Sequence, residues 1–394
     1  MLSQLIKPFV LIFLSLTAVS SAAQSVVNTK VGNELTFALQ SEVGVIDNFF
    51  YENSSTEQAN FIKLRPKLKI QTQFNRHLVQ LMAESEHASF QKFSQDNYSN
   101  FIITPSYQYK LATNQTMFVN ALLKEQYEAR GTGLSLGNAH LLLVGDTKQN
   151  SYVNGGFLYG SQNSVAKLSV TLGQENSRYT TRRDITKLLD KQSVFINPSF
   201  DYLIGGSSYF STEIKAEHIS YKRNEALSKN KYVGLVGFKW QPSNITDLTL
   251  LLGYQEIQFE QSVLANDSAI KWRVNLGWQP LDNLDFSLMS ERDFSEANKL
   301  QDSYRLVDNT ILGVRKRWDD YIEVKASVGY SSEDVISSSK LSTEDYLTTT
   351  ISMNYQRNSW LSFYFTYDFK GLDASVSGLN YQRNSLSLGF NVTL

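Results

Sequence analysis

Residues 61–74 read FIKLRPKLKIQTQF, and their side chains alternate between apolar and cationic. The apolar set is Ile62, Leu64, Leu68 and Ile70, and the cationic set is Lys63, Arg65, Lys67 and Lys69, with Pro66 between them. A helix would spread the four cations around its circumference, whereas a β-strand, whose side chains repeat every two residues, puts all four on one face. The stretch therefore predicts a strand with one face toward water and the other toward apolar surroundings.

The same alternation recurs along most of the chain, and it defines 18 predicted strands. They lie near 34–50, 59–75, 77–93, 98–112, 116–130, 149–162, 165–181, 193–206, 208–223, 231–243, 246–262, 269–281, 284–298, 304–318, 321–335, 345–358, 359–374 and 379–394. An even number of such strands is typical of bacterial outer-membrane barrels.

The predicted connections alternate between tight turns and longer polar links. The tight turns are Asn75-Arg76, Asn163-Ser164, Asn244-Ile245, Asp282-Asn283 and Asp319-Asp320, and the longer links include 51–58, 131–148, 182–192 and 336–344. Short turns at one end, long loops at the other and apolar-out, polar-in strands predict a transmembrane antiparallel up-and-down β-barrel in a bacterial outer membrane. Both termini would then be periplasmic, and membrane lipid and lipopolysaccharide would surround the wall.

Composition narrows the functional classes. The chain has 394 residues with 37 basic and 38 acidic side chains, so its charge gives no reason to expect nucleic-acid binding. Beyond the N-terminus no run approaches the roughly 18 apolar residues that a membrane-spanning helix needs. Cysteine is absent and the four histidines are scattered, so neither a disulfide framework nor metal-ligand spacing is present, and we expect no cofactor.

Residues 1–23, MLSQLIKPFVLIFLSLTAVSSAA, have the layout of a secretory signal peptide. Lys7 precedes an apolar segment over 9–19, and small residues lie at 21–23. An N-terminal anchor helix is the alternative, and the short apolar segment disfavours it. We expect cleavage after Ala22 or Ala23 and a mature barrel over 24–394.

Tryptophans mark one end of the predicted barrel. Trp240, Trp278 and Trp318 recur at near-equal intervals, each on the apolar face just before a short turn. They predict a periplasmic aromatic girdle.

The chain ends SLGFNVTL, which is similar to the C-terminal signal that barrel-assembly machinery reads. Gly389, Val392 and Leu394 are the predicted signal residues, and the assembly machinery is thus an expected partner.

The four cations of the opening stretch have candidate carboxylate partners. If the strands around 75–76 pair, Lys67 faces Glu84 and Arg65 faces Glu86, and pairing across the first loop brings Glu42 toward Lys67. The strip then forms either a salt-bridged wall or a cationic lining of a water-filled pore, since 18 strands enclose an aqueous lumen. Other predicted pore-lining residues are Lys271, Arg273, Arg315, Arg317 and Tyr364, opposed by Asp285, Glu291, Glu213 and Glu217.

Two further features stay open at this point. Pro66, Pro105 and Pro198 fall on apolar faces and predict bulges, because proline cannot donate to a strand ladder. The long link 131–148 contains the apolar run LLLV, and we expect it to fold into the lumen as a constriction. The alternative is an additional strand segment or an outer extension of the wall.

Catalysis has little support. The pattern G-x-S-x-G at Gly133–Gly137, with His140 nearby, lacks the strand-to-helix elbow that this motif needs. Asp293 and Glu296 would suit a barrel hydrolase only if the outer rim bound a substrate. We therefore predict no catalytic residues.

The sequence resembles the putative β-barrel porin type 2 family, whose members include outer-membrane proteins of exopolysaccharide biosynthesis loci. The resemblance rests on VGVIDNFFY, FIKLRPKLKI, the W-Q-P hairpins at 240 and 278, and YQRNSLSLGFNVTL. It implies a channel that passes exopolysaccharide or capsular polysaccharide outward together with a periplasmic polysaccharide-export protein. A general or sugar-uptake porin, with a small solute in the lumen, is the alternative, and a purely structural or adhesive barrel would need a plugged lumen.

Overall fold

A computed structural model describes residues 32–161, 164–337 and 341–394. The predicted signal peptide and Asn163 of one predicted turn lie outside these residues. The strands of the described chain are β1 (Gly32–Ile46), β2 (Ala59–Phe74), β3 (His77–Phe90), β4 (Tyr98–Ala112), β5 (Gln115–Glu128), β6 (Asp146–Tyr159), β7 (Ala166–Tyr179), β8 (Lys191–Gly205), β9 (Ser208–Tyr221), β10 (Lys229–Ser243), β11 (Thr246–Phe259), β12 (Asp267–Leu281), β13 (Leu284–Glu296), β14 (Asp302–Arg317), β15 (Ile322–Ser337), β16 (Leu341–Gln356), β17 (Leu361–Ala374) and β18 (Tyr381–Thr393). One helical turn, α1 (Arg183–Thr186), and 3₁₀ turns at Ser94–Asp96, Gly133–Ser135, Ala139–Leu141, Lys187–Leu189 and Glu225–Leu227 lie between strands.

The 18 described strands form one closed antiparallel barrel. Each strand pairs with its neighbours in sequence, and β1 pairs with β18 from Ala38↔Thr393 to Ile46↔Ser385. Closure satisfies the backbone groups of the first and last strands, which is the condition for a sheet in lipid. The predicted fold class is confirmed.

The two ends of the barrel differ. Gly32 and Thr393 both lie at the end that carries connections such as 75–76, 206–207 and 282–283, and we call it the short-turn end. The opposite, long-loop end carries 47–58, 129–145 and 180–190 among others.

The predicted long link 336–344 is wrong. β15 and β16 continue past the expected boundary, and Ile336 pairs with Leu341. Polar side chains there did not stop the strands, because beyond the bilayer both faces of a hairpin can meet water.

The bulges predicted at Pro66, Pro105 and Pro198 are also absent. On both sides of each proline the strand register is unchanged, and only two residue pairs of one ladder are missing. At Pro198 the Asn197 side-chain amide donates to the Ile214 carbonyl at 2.9 Å. The side chain thus satisfies an acceptor opposite the proline, whose nitrogen cannot donate.

The outer face of the wall is apolar. Large exposed side chains alternate along the strands and include Val43, Ile62, Val119, Leu172, Ile214, Leu252, Leu312, Ile351 and Leu388. This face is the band that a barrel presents to lipid. In the described residues no helix is long and apolar enough to cross a membrane.

Candidate functional site: the lumen and its closed end

The cationic strip of β2 faces the lumen, as predicted, but one of its partners differs. Register places Glu42 opposite Lys63, and the Glu42 carboxylate lies 3.7 Å from Lys63 Nζ and 2.9 Å from Arg65 Nη2. Arg65 Nε also donates to Glu86 at 2.5 Å. The expected approach of Glu42 to Lys67 is wrong, because the β1–β2 register is shifted from the one assumed.

The strip becomes more accessible toward the short-turn end. Lys67 lies 3.6 Å from Glu84 and Lys69 lies 3.9 Å from Glu34, both looser than the pairs of Arg65. The side chains of Lys67 and Lys69 are 47% and 40% exposed, against 20% for Lys63 and 21% for Arg65. Solvent therefore reaches the strip from the short-turn end.

On the opposite wall, the exposure of cationic side chains also increases toward the short-turn end. Lys271 Nζ lies 3.0 Å from both Glu291 and Asp293 and is nearly buried. Near the short-turn end, Arg315 Nε lies 2.9 Å from Asp285 and the side chain is 43% exposed.

The other two predicted cations of this wall also have partners. Arg273 Nη1 lies 2.8 Å from Glu213, and Arg317 Nη2 donates to the Asp282 carbonyl at 2.8 Å. Glu217 pairs with Lys215 at 2.7 Å and not with the predicted arginines.

The long-loop end of the lumen is filled with side chains. Inward charged groups that are buried there include Glu42, Arg130, Lys229, Lys231, Lys271, Arg305 and Glu344. Apolar clusters also lie on the inner side, and one of them joins Phe49, Phe61 and Phe90 to Phe50 and Phe93. The inner wall is thus exposed near the short-turn end, and side chains narrow the lumen at the long-loop end.

Part of this closure comes from the end of β13. Its pairing with β12 stops at Arg273↔Glu291, although β13 continues to Glu296. Side chains of the inner wall hold the departing segment: Lys231 Nζ donates to the Phe294 carbonyl at 2.7 Å, and the Phe294 N–H donates to Gln255 Oε1 at 3.2 Å. The segment 292–296 stays paired with β14 up to Glu296↔Tyr304, but it separates from β12 and lies over the inner faces of β10 and β11.

The two carboxylates considered for hydrolysis lie on this segment. Asp293 lies 2.7 Å from Lys231, and Glu296 lies 2.9 Å from Lys229 and accepts from the Tyr221 hydroxyl. Both carboxylates hold the bent segment against the wall.

A second part of the closure is the loop 129–145, which enters the mouth of the barrel. Leu136 packs against inward-facing Leu372 and Tyr381, on the strands β17 and β18 far around the wall. The sequence predicts that the LLLV run folds into the lumen with its loop, but Leu141 and Leu143 are 69% and 87% exposed. The loop thus reaches the lumen through Leu136, and its apolar tip points away from the protein.

Arg130 fixes the base of this loop. Its guanidinium forms a buried pair with Asp96, donates to the Leu142 carbonyl at 2.8 Å and lies 4.4 Å from the centre of the Phe50 ring. Gly131 follows with φ of 82°, and a Cβ there would lie 1.8 Å from the Phe50 carbonyl oxygen. Only glycine fits this approach. Sequence reasoning missed Arg130, because its three partners come from separate loops.

Ser135 of the G-x-S-x-G pattern serves the same loop. Its hydroxyl donates to the Thr132 carbonyl and accepts from the Gly131 N–H, each at 3.0 Å. His140 lies 3.8 Å from Glu52 and is largely exposed. In the described residues no group of three or more His, Asp or Glu side chains could hold a metal ion.

The predicted girdle residues lie where expected. Trp240, Trp278 and Trp318 are exposed on the outer face at the short-turn end, and Trp360, not predicted, lies in another short turn with similar exposure.

The predicted assembly-signal residues lie at the seam where the barrel closes. Leu394 exchanges backbone hydrogen bonds with Phe37 of β1, and Val392 is paired with Leu39. At Gly389 a Cβ would lie 2.5 Å from the Tyr364 ring, so the glycine leaves room for that ring. Tyr364 in turn donates to Glu42 at 3.2 Å.

Comparison with known proteins agrees with this geometry. The model of the family "Putative beta-barrel porin 2" matches residues 208–394, which span β9 to β18. The predicted resemblance is confirmed, and together with the apolar outer face it supports an outer-membrane β-barrel.

Solved structures give only distant likenesses. The siderophore receptor PirA from Acinetobacter baumannii is 8% identical, with 93% of this chain and 81% of that chain covered and a TM-score of 0.46. The FrpB iron transporter from Neisseria meningitidis, in its apoprotein form, is 7% identical, with 91% and 81% covered and a TM-score of 0.47. Comparison with curated proteins gives no match. Nothing about a substrate carries over from proteins this distant.

Proposed function

We propose that this barrel is a gated outer-membrane channel that passes exopolysaccharide or capsular polysaccharide to the cell surface. The observation that carries the proposal is the asymmetry of the lumen: its inner wall is exposed at the short-turn end, and residues 129–145 and 292–296 pack over it at the long-loop end. A channel for a long polymer needs such a closure, because a lumen wide enough for a glycan would otherwise leak small solutes between rounds of export.

In this proposal the short-turn end and both termini are periplasmic, and the long loops face outside. A periplasmic polysaccharide-export protein would dock at the short-turn end and deliver the glycan into the open part of the lumen. No catalytic group is required.

The cationic strip then has two roles. Lys63 and Arg65 are tied to Glu42 and stabilise the wall, whereas the more exposed Lys67 and Lys69 are available to a passing anionic glycan. A moving polymer needs weak contacts, and alternate residues of a strand offer them about 6.6 Å apart.

A gene deletion tests this function. The deletion strain is expected to lose extracellular polysaccharide while small-solute uptake stays intact. Normal polysaccharide secretion with loss of uptake of a sugar would replace the proposal with the sugar-uptake porin.

Variants separate the two roles of the strip. Lys67→Gln with Lys69→Gln should lower secretion at unchanged barrel abundance, while Arg65→Gln should lower abundance, because Glu42 and Glu86 lose a shared partner. The control is Lys222→Gln with Arg223→Gln in an exposed loop. If the control lowers secretion as much, the strip has no special role.

A further inference from the structure

The inner wall carries a second cationic cluster, which sequence reasoning did not single out. Lys124 of β5, Asn150 of β6, Ser177 of β7 and Lys191 of β8 lie in one row, since Lys124 is paired with Asn150, Asn150 with Ser177, and Ser177 with Lys191. Strand alternation points all four side chains into the lumen. Lys148 of β6 points inward one step nearer the long-loop end.

These three lysines differ from the cations of the β2 strip. Among the described residues, none of Lys124, Lys148 and Lys191 has a carboxylate oxygen within 4 Å, whereas the strip of β2 is paired throughout. The charges of Lys191 and Lys124 both act on Lys148, so the three ammonium groups form one cluster. Mutual repulsion makes such a cluster costly unless anionic groups lie near it.

Three carboxylates lie near the cluster, and one of them, Glu128, makes hydrogen bonds elsewhere. Glu128 and Glu175 both act electrostatically on Lys148. Glu128 accepts from the Tyr179 hydroxyl at 3.4 Å and from the Leu134 N–H at 3.5 Å; Leu134 belongs to the loop 129–145, which we call the plug loop. Glu296 also acts on Lys191. The carboxylates thus offset the cluster without forming ion pairs with it.

An unsatisfied hydroxyl in the same row is an independent sign of a ligand. Ser177 is 2% exposed, and its Oγ has no hydrogen-bond partner. A buried polar group without a partner is costly, and in native proteins such a group calls for an explanation. Here the hydroxyl lies between Asn150 and Lys191, where it could donate to an oxyanion held by the lysines.

We infer that Lys124, Lys148 and Lys191, with Ser177 and Asn150, form a binding site for an oxyanion substituent of a glycan, a carboxylate or a phosphate. The inference rests on the proposed function and adds the chemical class of the cargo. The site lies directly under the plug loop, which Glu128 contacts, so the anionic glycan is held at the point where the lumen narrows.

The test is titration calorimetry on the full-length folded barrel in detergent. The probes are oligogalacturonate for carboxylate, tripolyphosphate for phosphate, and maltooligosaccharide as the uncharged control. Wild-type protein should bind at least one anionic probe, and the triple variant Lys124→Gln, Lys148→Gln, Lys191→Gln should bind it at least about tenfold more weakly, because charge-assisted hydrogen bonds are lost. The preferred probe tells which oxyanion the site takes.

The matched control removes three inward lysines that do have ion-pair partners, by Lys215→Gln, Lys239→Gln and Lys325→Gln. It should keep wild-type affinity. Equal loss in both variants, or no anion binding by wild-type protein, would overturn the site. Ser177→Ala gives a second measure, with a smaller loss expected and no effect on folding. Failure of the export proposal would show instead in the deletion strain. Its polysaccharide secretion is measured separately from these titrations, so the two failures can be told apart.

Discussion

At the scale of single residues, Arg130 is the residue that holds the plug loop in place. It was not among the predicted pore-lining residues. It joins three loops through Asp96, the Leu142 carbonyl and the Phe50 ring. Removing one partner of a buried ion pair leaves the other charge unpaired, at a cost of about 3–5 kcal/mol.

Arg130→Gln is therefore expected to loosen the plug loop without unfolding the barrel, because the strand ladder does not depend on it. Hydrogen exchange should rise in 129–145 and 91–97 and stay unchanged in the strands. Arg223→Gln, in an exposed loop, is the control. Unchanged exchange in both segments would show that Arg130 does not hold the loop.

The residue scale also shows what the sequence could and could not predict. The alternation of apolar and cationic residues predicted that Lys63 and Arg65 lie on the same face of a strand, because the side-chain directions of a strand depend only on local geometry. The partners of Arg130 could not be predicted, since Asp96 and Phe50 belong to loops whose approach depends on the closed barrel. The same holds for Ser177, whose missing hydrogen-bond partner is visible only once its neighbours are placed.

At the scale of elements, all 18 strands were predictable from the two-residue period, and the errors lie where another effect outweighs it. Hairpin β15–β16 extends beyond its prediction, and the three prolines fit without bulges, because neighbouring residues keep the register. The inward bend of β13 could not be predicted from the sequence, because Asp293 and Glu296 resemble ordinary carboxylates at the rim of a barrel.

The last strand, β18, makes the clearest prediction at this scale. Deleting 391–394 should remove Leu394 and the end of the β1–β18 ladder, and should leave the protein in the periplasm for degradation. Gly389→Ala should lower outer-membrane abundance less severely, because a Cβ there would lie 2.3 Å from the Ser41 carbonyl oxygen and 2.5 Å from the Tyr364 ring, and both must shift. Gly234→Ala, where a Cβ meets nothing within 4 Å, is the control for a strand glycine. Normal surface levels of the truncated protein would exclude the octet as the assembly signal.

At the scale of the whole molecule, the barrel is closed by strands around its wall and by loops at one end. The first consequence is physical. Purified protein should give a β-rich circular dichroism spectrum and should migrate faster on a gel when unboiled, because an intact closed barrel resists detergent unfolding. A predominantly helical spectrum would contradict the fold.

The second consequence is functional: water-soluble reagents should reach the lumen from the short-turn end. Lys67 and Lys69 should react with a charged amine reagent added on the short-turn side, while the nearly buried Lys229 and Lys271 should not. Equal labelling of all four would mean that the long-loop end is open.

The most direct test of the central claim, a lumen closed by loop 129–145, is single-channel conductance of the barrel in planar bilayers. Deleting 133–144 is expected to raise the open conductance or the open probability well above wild type, because Leu136 no longer packs on Leu372 and Tyr381. Leu141→Ser with Leu143→Ser, at the exposed tip, should leave conductance unchanged. Wild-type conductance in the deletion variant would contradict the account.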